Sequence, residues 1–136
     1  MAGSQLRKLA EVVAFLRGPK GCPWDRKQTH LSLIRYLREE AKELEKALKK
    51  GNWHEIEDEL GDLLLNVMLH AQIESEKGRF DIDDVARSQA LKLRRRHPHV
   101  FGAAKFRTAD EVLRHWGTIK KGERALRDAD VRRRTR

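Results

Sequence analysis

The chain has 136 residues, the length of one domain rather than two. With 39% apolar and 38% charged residues, disorder throughout is excluded and the elements must be strongly two-faced, one side buried and the other charged. The formal net charge of +9 points to an anionic partner: nucleic acid, nucleotide or membrane surface.

That charge is unevenly spread. Residues 1–91 carry 15 basic and 16 acidic side chains, whereas residues 92–136 carry 15 basic and 5 acidic. A single cysteine, Cys22, has no partner for an internal disulfide, so the fold must be stable reduced, as expected of a cytoplasmic protein. The early apolar run Val12–Leu16 is far too short for a membrane span or the core of a signal peptide.

Apolar residues recur at helical spacing along almost the whole chain, which predicts an all-α fold. A first helix spans about 5–17, with Leu6, Leu9, Val13 and Leu16 inward, and Gly18-Pro19 stops it. After a loop, a second helical region covers about 25–50. Asp25 with Gln28 has capping-box spacing, while Thr29 offers a later start. Its predicted inward stripe is Leu31, Ile34, Leu37, Ala41, Leu44 and Leu48. Gly51-Asn52 ends it, and a third helix follows over about 53–77 with the stripe Ile56, Leu60, Leu63, Leu64, Val67 and Ala71. So short a break makes the two long helices an antiparallel hairpin. Gly78 closes the third helix, and Asp81 or Asp83 starts a fourth reaching about His97, before Pro98. Thr108 with Glu111 opens a fifth through Val112, Trp116 and Ile119, and the end from Arg127 to Arg136 is expected to be a frayed, solvated tail.

The hairpin carries an unusual set of acids. Glu40 and Glu43 on one helix, and Glu59 and Asp62 on the next, are each three residues apart and border the apolar stripes, so four carboxylates can converge where the helices pack. Acids on helices ordinarily form a solvated face laced with i,i+4 ion pairs, which accounts for Glu45 with Lys49. These four lack such partners: Glu40 has Tyr36 and Leu44 four residues away, Glu59 has Glu55 and Leu63, Asp62 has Asp58 and Asn66, and Glu43 meets a base only through Lys46. Two like charges ~4 Å apart repel by about 4 kcal/mol at an effective dielectric near 20, so a converging set protonates, spreads or takes up a cation. An all-oxygen donor set favours Mg²⁺ or Mn²⁺ over zinc. Both the metal reading and the solvated-face reading stay open on the residues alone.

A hard metal on carboxylates commonly also holds substrate phosphates. The basic last third offers the complement. Lys92 and Arg96 are i,i+4, with Arg94 and Arg95 between them, and Trp116 and Lys120 are i,i+4 on the last helix, a ring and a charge that suit a base and a phosphate. The competing reading makes Trp116 a core residue and the arginines a solvated face.

These residues resemble a known family, the MazG-type nucleoside triphosphate pyrophosphohydrolases of the all-α NTP pyrophosphatase superfamily. Its Glu-Glu-x-x-Glu and Glu-x-x-Asp signature stands here as Glu39-Glu40-x-x-Glu43 and Glu59-x-x-Asp62. Gly21-Cys22-Pro23-Trp24-Asp25, Gln28-Thr29-His30 and Arg95-Arg96-His97-Pro98-His99-Val100-Phe101-Gly102 match its recurrent stretches, and the resemblance covers about 5–122. It implies Mg²⁺-dependent hydrolysis of (deoxy)nucleoside triphosphates to monophosphate and pyrophosphate, of broad specificity. It further implies Glu40, Glu43, Glu59 and Asp62 as metal ligands, Glu39 as the group acting on the attacking water, and Lys92, Arg95, Arg96, Trp116 and Lys120 as substrate contacts. A four-helix core shared across a homodimer or higher homo-oligomer is expected, because family members often carry two such domains where this chain has one. The domain is then 1–122, and the basic segment 123–136 is an accessory tail. The rival reading is a helical nucleic-acid-binding module using the basic third.

Overall fold

A computed structural model describes residues 2–134, and in these there are helices and no strand. The elements are α1 (Ala2–Leu16), α2 (Pro23–Lys27), α3 (His30–Lys50), α4 (Trp53–Glu76), α5 (Ile82–Arg96), α6 (Pro98–Phe101) and α7 (Ala109–Arg134). They divide into two compact units, Met1–Val85 and Ala86–Arg136.

In the first unit α3 and α4 form the antiparallel hairpin, with α1 laid along α4. Of the two predicted starts for the long helix, Thr29 is the one used. Its backbone is extended, its Oγ1 accepts from the Ser32 N–H at 3.1 Å, and Ser32 Oγ accepts from the Thr29 N–H at 2.8 Å. The Asp25–Gln28 turn therefore stands apart as the short α2, because an extended Thr29 cannot sit inside a continuous helix. At the tip, Gly51 takes the left-handed conformation at φ +79° that a Cβ would disfavour, and Asn52 Oδ1 accepts from the His54 and Glu55 N–H groups. Gly78, at φ +71°, makes the turn after α4. Asp81 and Asp84 then exchange side-chain to backbone hydrogen bonds of 2.9 and 3.0 Å at the start of α5.

The core is Val13, Leu33, Met68, Leu69 and Ile73, with Leu9, Ala10, Tyr36, Leu64 and Ile82 packed around it. Burying a side chain such as Leu33 is worth about 1.5–3 kcal/mol. The inward stripe predicted for the second helix is corrected here. α3 turns Leu33, Tyr36, Leu44 and Ala47 toward cover, at steps of three, eight and three, while Leu31, Ile34, Leu37, Ala41 and Leu48 are exposed. On α4, Ala71 is buried and Ile56, Leu63 and Leu64 are partly so, but Leu60 and Val67 are exposed, and Asn66, Met68, Leu69 and Ile73 supply the buried face. Leu6 of α1 is also exposed. Both hairpin helices are apolar on two sides, and periodicity registers both without saying which one the neighbour in the same chain covers.

Polar struts fasten the segment between α1 and α3. The nearly buried Arg17 side chain donates to the Asp25 and Gln28 carbonyls at 2.6 and 3.0 Å and pairs with Glu76 at 2.8 Å. The Gly21 backbone lies so close to the end of α1 that a Cβ there would collide with the Phe15 and Leu16 carbonyl oxygens. Two residues before Glu76 on α4, Glu74 is buried beneath Arg79 and His30, and the His30 and His70 rings stack with their Nδ1 atoms 2.8 Å apart. The Arg79 and His30 hydrogen bonds hold the Glu74 carboxyl at about 2.

In the second unit, Glu123 of α7 binds Arg95 at 2.7 Å and Arg96 at 2.6 Å. Thr108 caps α7 by accepting from the Glu111 N–H, and Glu111 reaches back to the Arg107 N–H. The fraying expected from Arg127 is not seen in the described residues, since α7 remains helical to Arg134. No described helix is long and apolar enough to cross a membrane.

Candidate functional site

Glu40 follows Tyr36 by one turn and so falls on the covered face of α3, pointing its carboxylate along the seam with α4. Glu59 and Asp62, three apart on α4, meet it there. One carboxylate oxygen from each of Glu40, Glu59 and Asp62 lies within 4.8 Å of the others, Glu40 and Glu59 partly buried and Asp62 exposed. None of the three makes an ion pair among the described residues. Partial burial, then the charge of Asp62, then those of Glu39, Glu43 and Asp58 raise the Glu40 carboxyl above its ordinary range. Glu59 is raised by burial, then by Asp62 and Glu40. Two helices thus hold three like charges together at an electrostatic cost that a bound cation would reverse.

Three of the four acids expected as ligands are therefore brought together. Glu43 stands aside, its Oε1 3.4 Å from Lys46 Nζ, although its charge still bears on Glu40 and Glu59. Glu39 is rotated about 100° around α3 from Glu40 and is 3.5 Å from Arg35. Next to the cluster, a polar cleft of about 410 Å³ is lined by His54, Glu57, Asp58, Gly61 and Asp62. The donor set, all carboxylate oxygen and free of internal cations, fits a hard divalent ion such as Mg²⁺ or Mn²⁺.

Two features of the same unit depend on contacts that local spacing does not carry. The buried Asn66, one turn beyond Asp62, donates to the Leu33 carbonyl at 3.4 Å and ties the two helices together. Trp24 stands edge-on to Tyr36 with ring centroids 5.7 Å apart, and Tyr36 carries the Arg35 guanidinium over its ring at 5.0 Å. A large aromatic in the Gly-Cys-Pro-Trp-Asp loop marks Trp24 in the sequence, but its partner lies twelve residues away.

The second unit holds the basic candidates. Lys92, Arg95 and Arg96 line a cleft of about 740 Å³ together with Glu123, Arg127 and Ile119. The Arg96 hydrogen bond above all, with that of Arg95, holds the Glu123 carboxyl at about 2 against its partial burial. Both arginines thus spend part of their charge inside the protein. Trp116 is half-buried, with Arg96 over its ring at 5.6 Å and His97 edge-on at 5.0 Å, and Lys120 is exposed.

Comparison with known proteins adds an independent line. Residues 28–101 match the family described as the MazG nucleotide pyrophosphohydrolase domain. The chain is 52% identical over 101 residues to the nucleoside triphosphate pyrophosphohydrolase/pyrophosphatase MazG of Thermotoga maritima, covering 74% of this chain and 40% of that protein. It is 41% identical over 123 residues to the nucleoside triphosphate pyrophosphohydrolase of Escherichia coli K12 (90% and 47%), and 49% identical over 120 residues to the uncharacterized protein YabN of Bacillus subtilis (88% and 24%). The chain thus spans a quarter to about a half of the length of these relatives. Among solved structures, a mazG-related protein from Thermotoga maritima superimposes with a TM-score of 0.67 at 27% identity, covering 85% of this chain and 98% of that one.

Proposed function

Since the chain belongs to the MazG nucleotide pyrophosphohydrolase family, we propose that it hydrolyses nucleoside triphosphates, ribo or deoxy, to the monophosphate and pyrophosphate with Mg²⁺, Mn²⁺ being the alternative ion. The observation that supports this most is the trio Glu40, Glu59 and Asp62, whose oxygens gather within 4.8 Å with no cation of the protein's own. These three would hold the ion, with Glu43 joining by leaving Lys46, a surface contact that costs little to break. When bound, the ion offsets charge on the phosphate oxygens and on the pyrophosphate leaving group.

The chain's own groups have the remaining tasks. Glu39, next in the chain to Glu40 but turned to Arg35, is proposed to leave that surface contact and to orient the attacking water or take its proton as the oxygen bonds to the α-phosphorus. The bond from that phosphorus to the bridging oxygen breaks, and pyrophosphate leaves. Lys92, Arg95, Arg96 and Lys120 are proposed to meet phosphate charge, and Trp116 to contact the base. Contacts to charge and a ring face discriminate little between bases, which supports broad specificity in nucleotide house-cleaning, in the cytoplasm. The catalytic domain is proposed as 1–122, with 123–136 a basic accessory segment.

The second apolar side of the hairpin supports a homodimer or higher homo-oligomer with a shared four-helix core. Leu31, Ile34, Leu37 and Leu48 of α3 and Leu60 and Val67 of α4 are all exposed, and apolar side chains in such number on two paired helices suit a partner surface. Pyrophosphate release from each NTP and dNTP with Mg²⁺, assayed on the wild type and on Glu40→Gln, tests the reaction. Release that survives undiminished in the variant rejects the assignment. The basic excess of residues 92–136 favours one other reading, a nucleic-acid-binding module, which predicts salt-sensitive DNA or RNA binding indifferent to Glu40 and no pyrophosphate.

A further inference from the structure

We infer that Trp24 is a platform on which the nucleobase of a bound nucleotide stacks, within the same unit as the carboxylate trio; this deepens the proposed activity and rests on it. The indole is 49% exposed, which for so large an aromatic is a standing cost in water. The loop that carries it is nonetheless fastened both before and after Trp24. Arg17 donates to the Asp25 and Gln28 carbonyls, Gln28 Nε2 donates to the Trp24 carbonyl at 2.9 Å, the Cys22 N–H donates to the Leu16 carbonyl at 2.8 Å, and Gly21 admits a contact with the end of α1 that no side chain would allow. Tyr36 supports the ring edge-on, which leaves an indole face free of that contact. An exposed aromatic on a fastened loop is pre-organised, so a planar ligand ring adds to it without an ordering cost.

Its position gives the ligand class. Tyr36, which supports the indole, and Glu40 of the carboxylate trio are one turn apart on the same face of α3, with Cβ atoms roughly 6 Å from each other. A ligand that joins a hard-cation phosphate group to a flat ring through a short arm is a nucleotide. Trp116, proposed above as a base contact, is half-buried with Arg96 already over its ring, which leaves the stacking itself to Trp24.

Two measurements test the platform. The first compares Trp24→Ala and Trp24→Phe with the wild type on an NTP and on methyl triphosphate, which has the phosphates and no base. Stacking on one base is worth a factor of roughly 5 to 150, so KM for the NTP rises by that much in Trp24→Ala with little change in kcat, Trp24→Phe restores most of it, and kcat/KM for methyl triphosphate stays within about twofold. Equal losses on both substrates, or an unchanged KM for the NTP, overturn the platform while leaving the enzyme standing. The second uses the otherwise unaltered chain labelled with 5-fluorotryptophan, the Trp24 resonance being assigned by its loss in Trp24→Phe. With Mg²⁺, a non-hydrolysable α,β-imido NTP shifts that ¹⁹F resonance and inorganic triphosphate does not. A resonance unmoved at saturating nucleotide overturns the inference, even where Trp24→Ala fails to fold. Absence of pyrophosphate release by the wild type rejects the activity instead, and the ¹⁹F arm still reports the stack by itself.

Discussion

Replacing Glu40 with Gln separates a cation site from an ordinary acidic surface, because the two predict opposite signs for stability. At 4.8 Å, the limit of the Glu40–Asp62 oxygen separation, two unit charges repel by about 3.5 kcal/mol at an effective dielectric of 20. Solvent exposure and physiological salt reduce this to below about 1 kcal/mol. Neutralising Glu40 removes repulsion and no ion pair, so the metal-free variant is expected to melt at or slightly above the wild-type temperature. A cation has the reverse effect on the wild type. For an ion bound with Kd of about 1 mM, 10 mM Mg²⁺ stabilises the folded state by about 1.4 kcal/mol. For a chain of this length that raises Tm by about 4–6 °C. Differential scanning fluorimetry at pH 7, with Mg²⁺ titrated against matched ionic strength, reads both effects. The expected pattern is an Mg²⁺-dependent rise in the wild type that collapses in Glu40→Gln and Asp62→Asn, with no loss of metal-free stability. A full Mg²⁺ shift in either variant, or a metal-free Tm several degrees below wild type, would refute the reasoning.

Leu33→Ala removes a side chain that is 1% exposed at the centre of the hairpin core; urea unfolding is expected to show a loss of about 2–5 kcal/mol, and less than 1 would mean that the core is elsewhere. Glu123, held at about 2 by Arg96 and Arg95 against an ordinary value near 4.5, has a depressed folded value. Its stabilising effect is therefore complete above about pH 4.5 and disappears as pH falls toward 2. Glu123→Gln should flatten that acid limb in a pH series of melts, and an unchanged limb would show the pairing to be inconsequential. If the exposed apolar side of the hairpin is a homo-oligomer interface, sedimentation finds a dimer or larger at micromolar concentration and Leu37→Glu dissociates it; a wild-type monomer rejects the interface. Gly21→Ala should loosen the 17–28 segment through collision with the Phe15 and Leu16 carbonyls, seen as faster amide exchange there with α4 unaffected.

The amino-acid sequence by itself determined the helical class, the two-residue tip of the hairpin and the pairing of acids on its two helices. Each of these is a local matter: a 3.6-residue period, a Gly-Asn break, and carboxylates three apart share one side of a helix wherever that helix goes. The tertiary structure decided what depends on a neighbour. Leu31, Ile34 and Leu37 have the same apolar character and spacing as residues that are buried, yet α4 packs on Leu33 and Ala47 instead, because a helix with two apolar sides can cover only one with a given partner. That rotation brings Glu40 to the seam beside Glu59 and Asp62 while Glu39 and Glu43 turn to Arg35 and Lys46, a choice that four acids in a row of text leave open. It also carries Tyr36 under Trp24. Contacts across twelve or more residues are set by which faces meet, and that is a property of the packed chain.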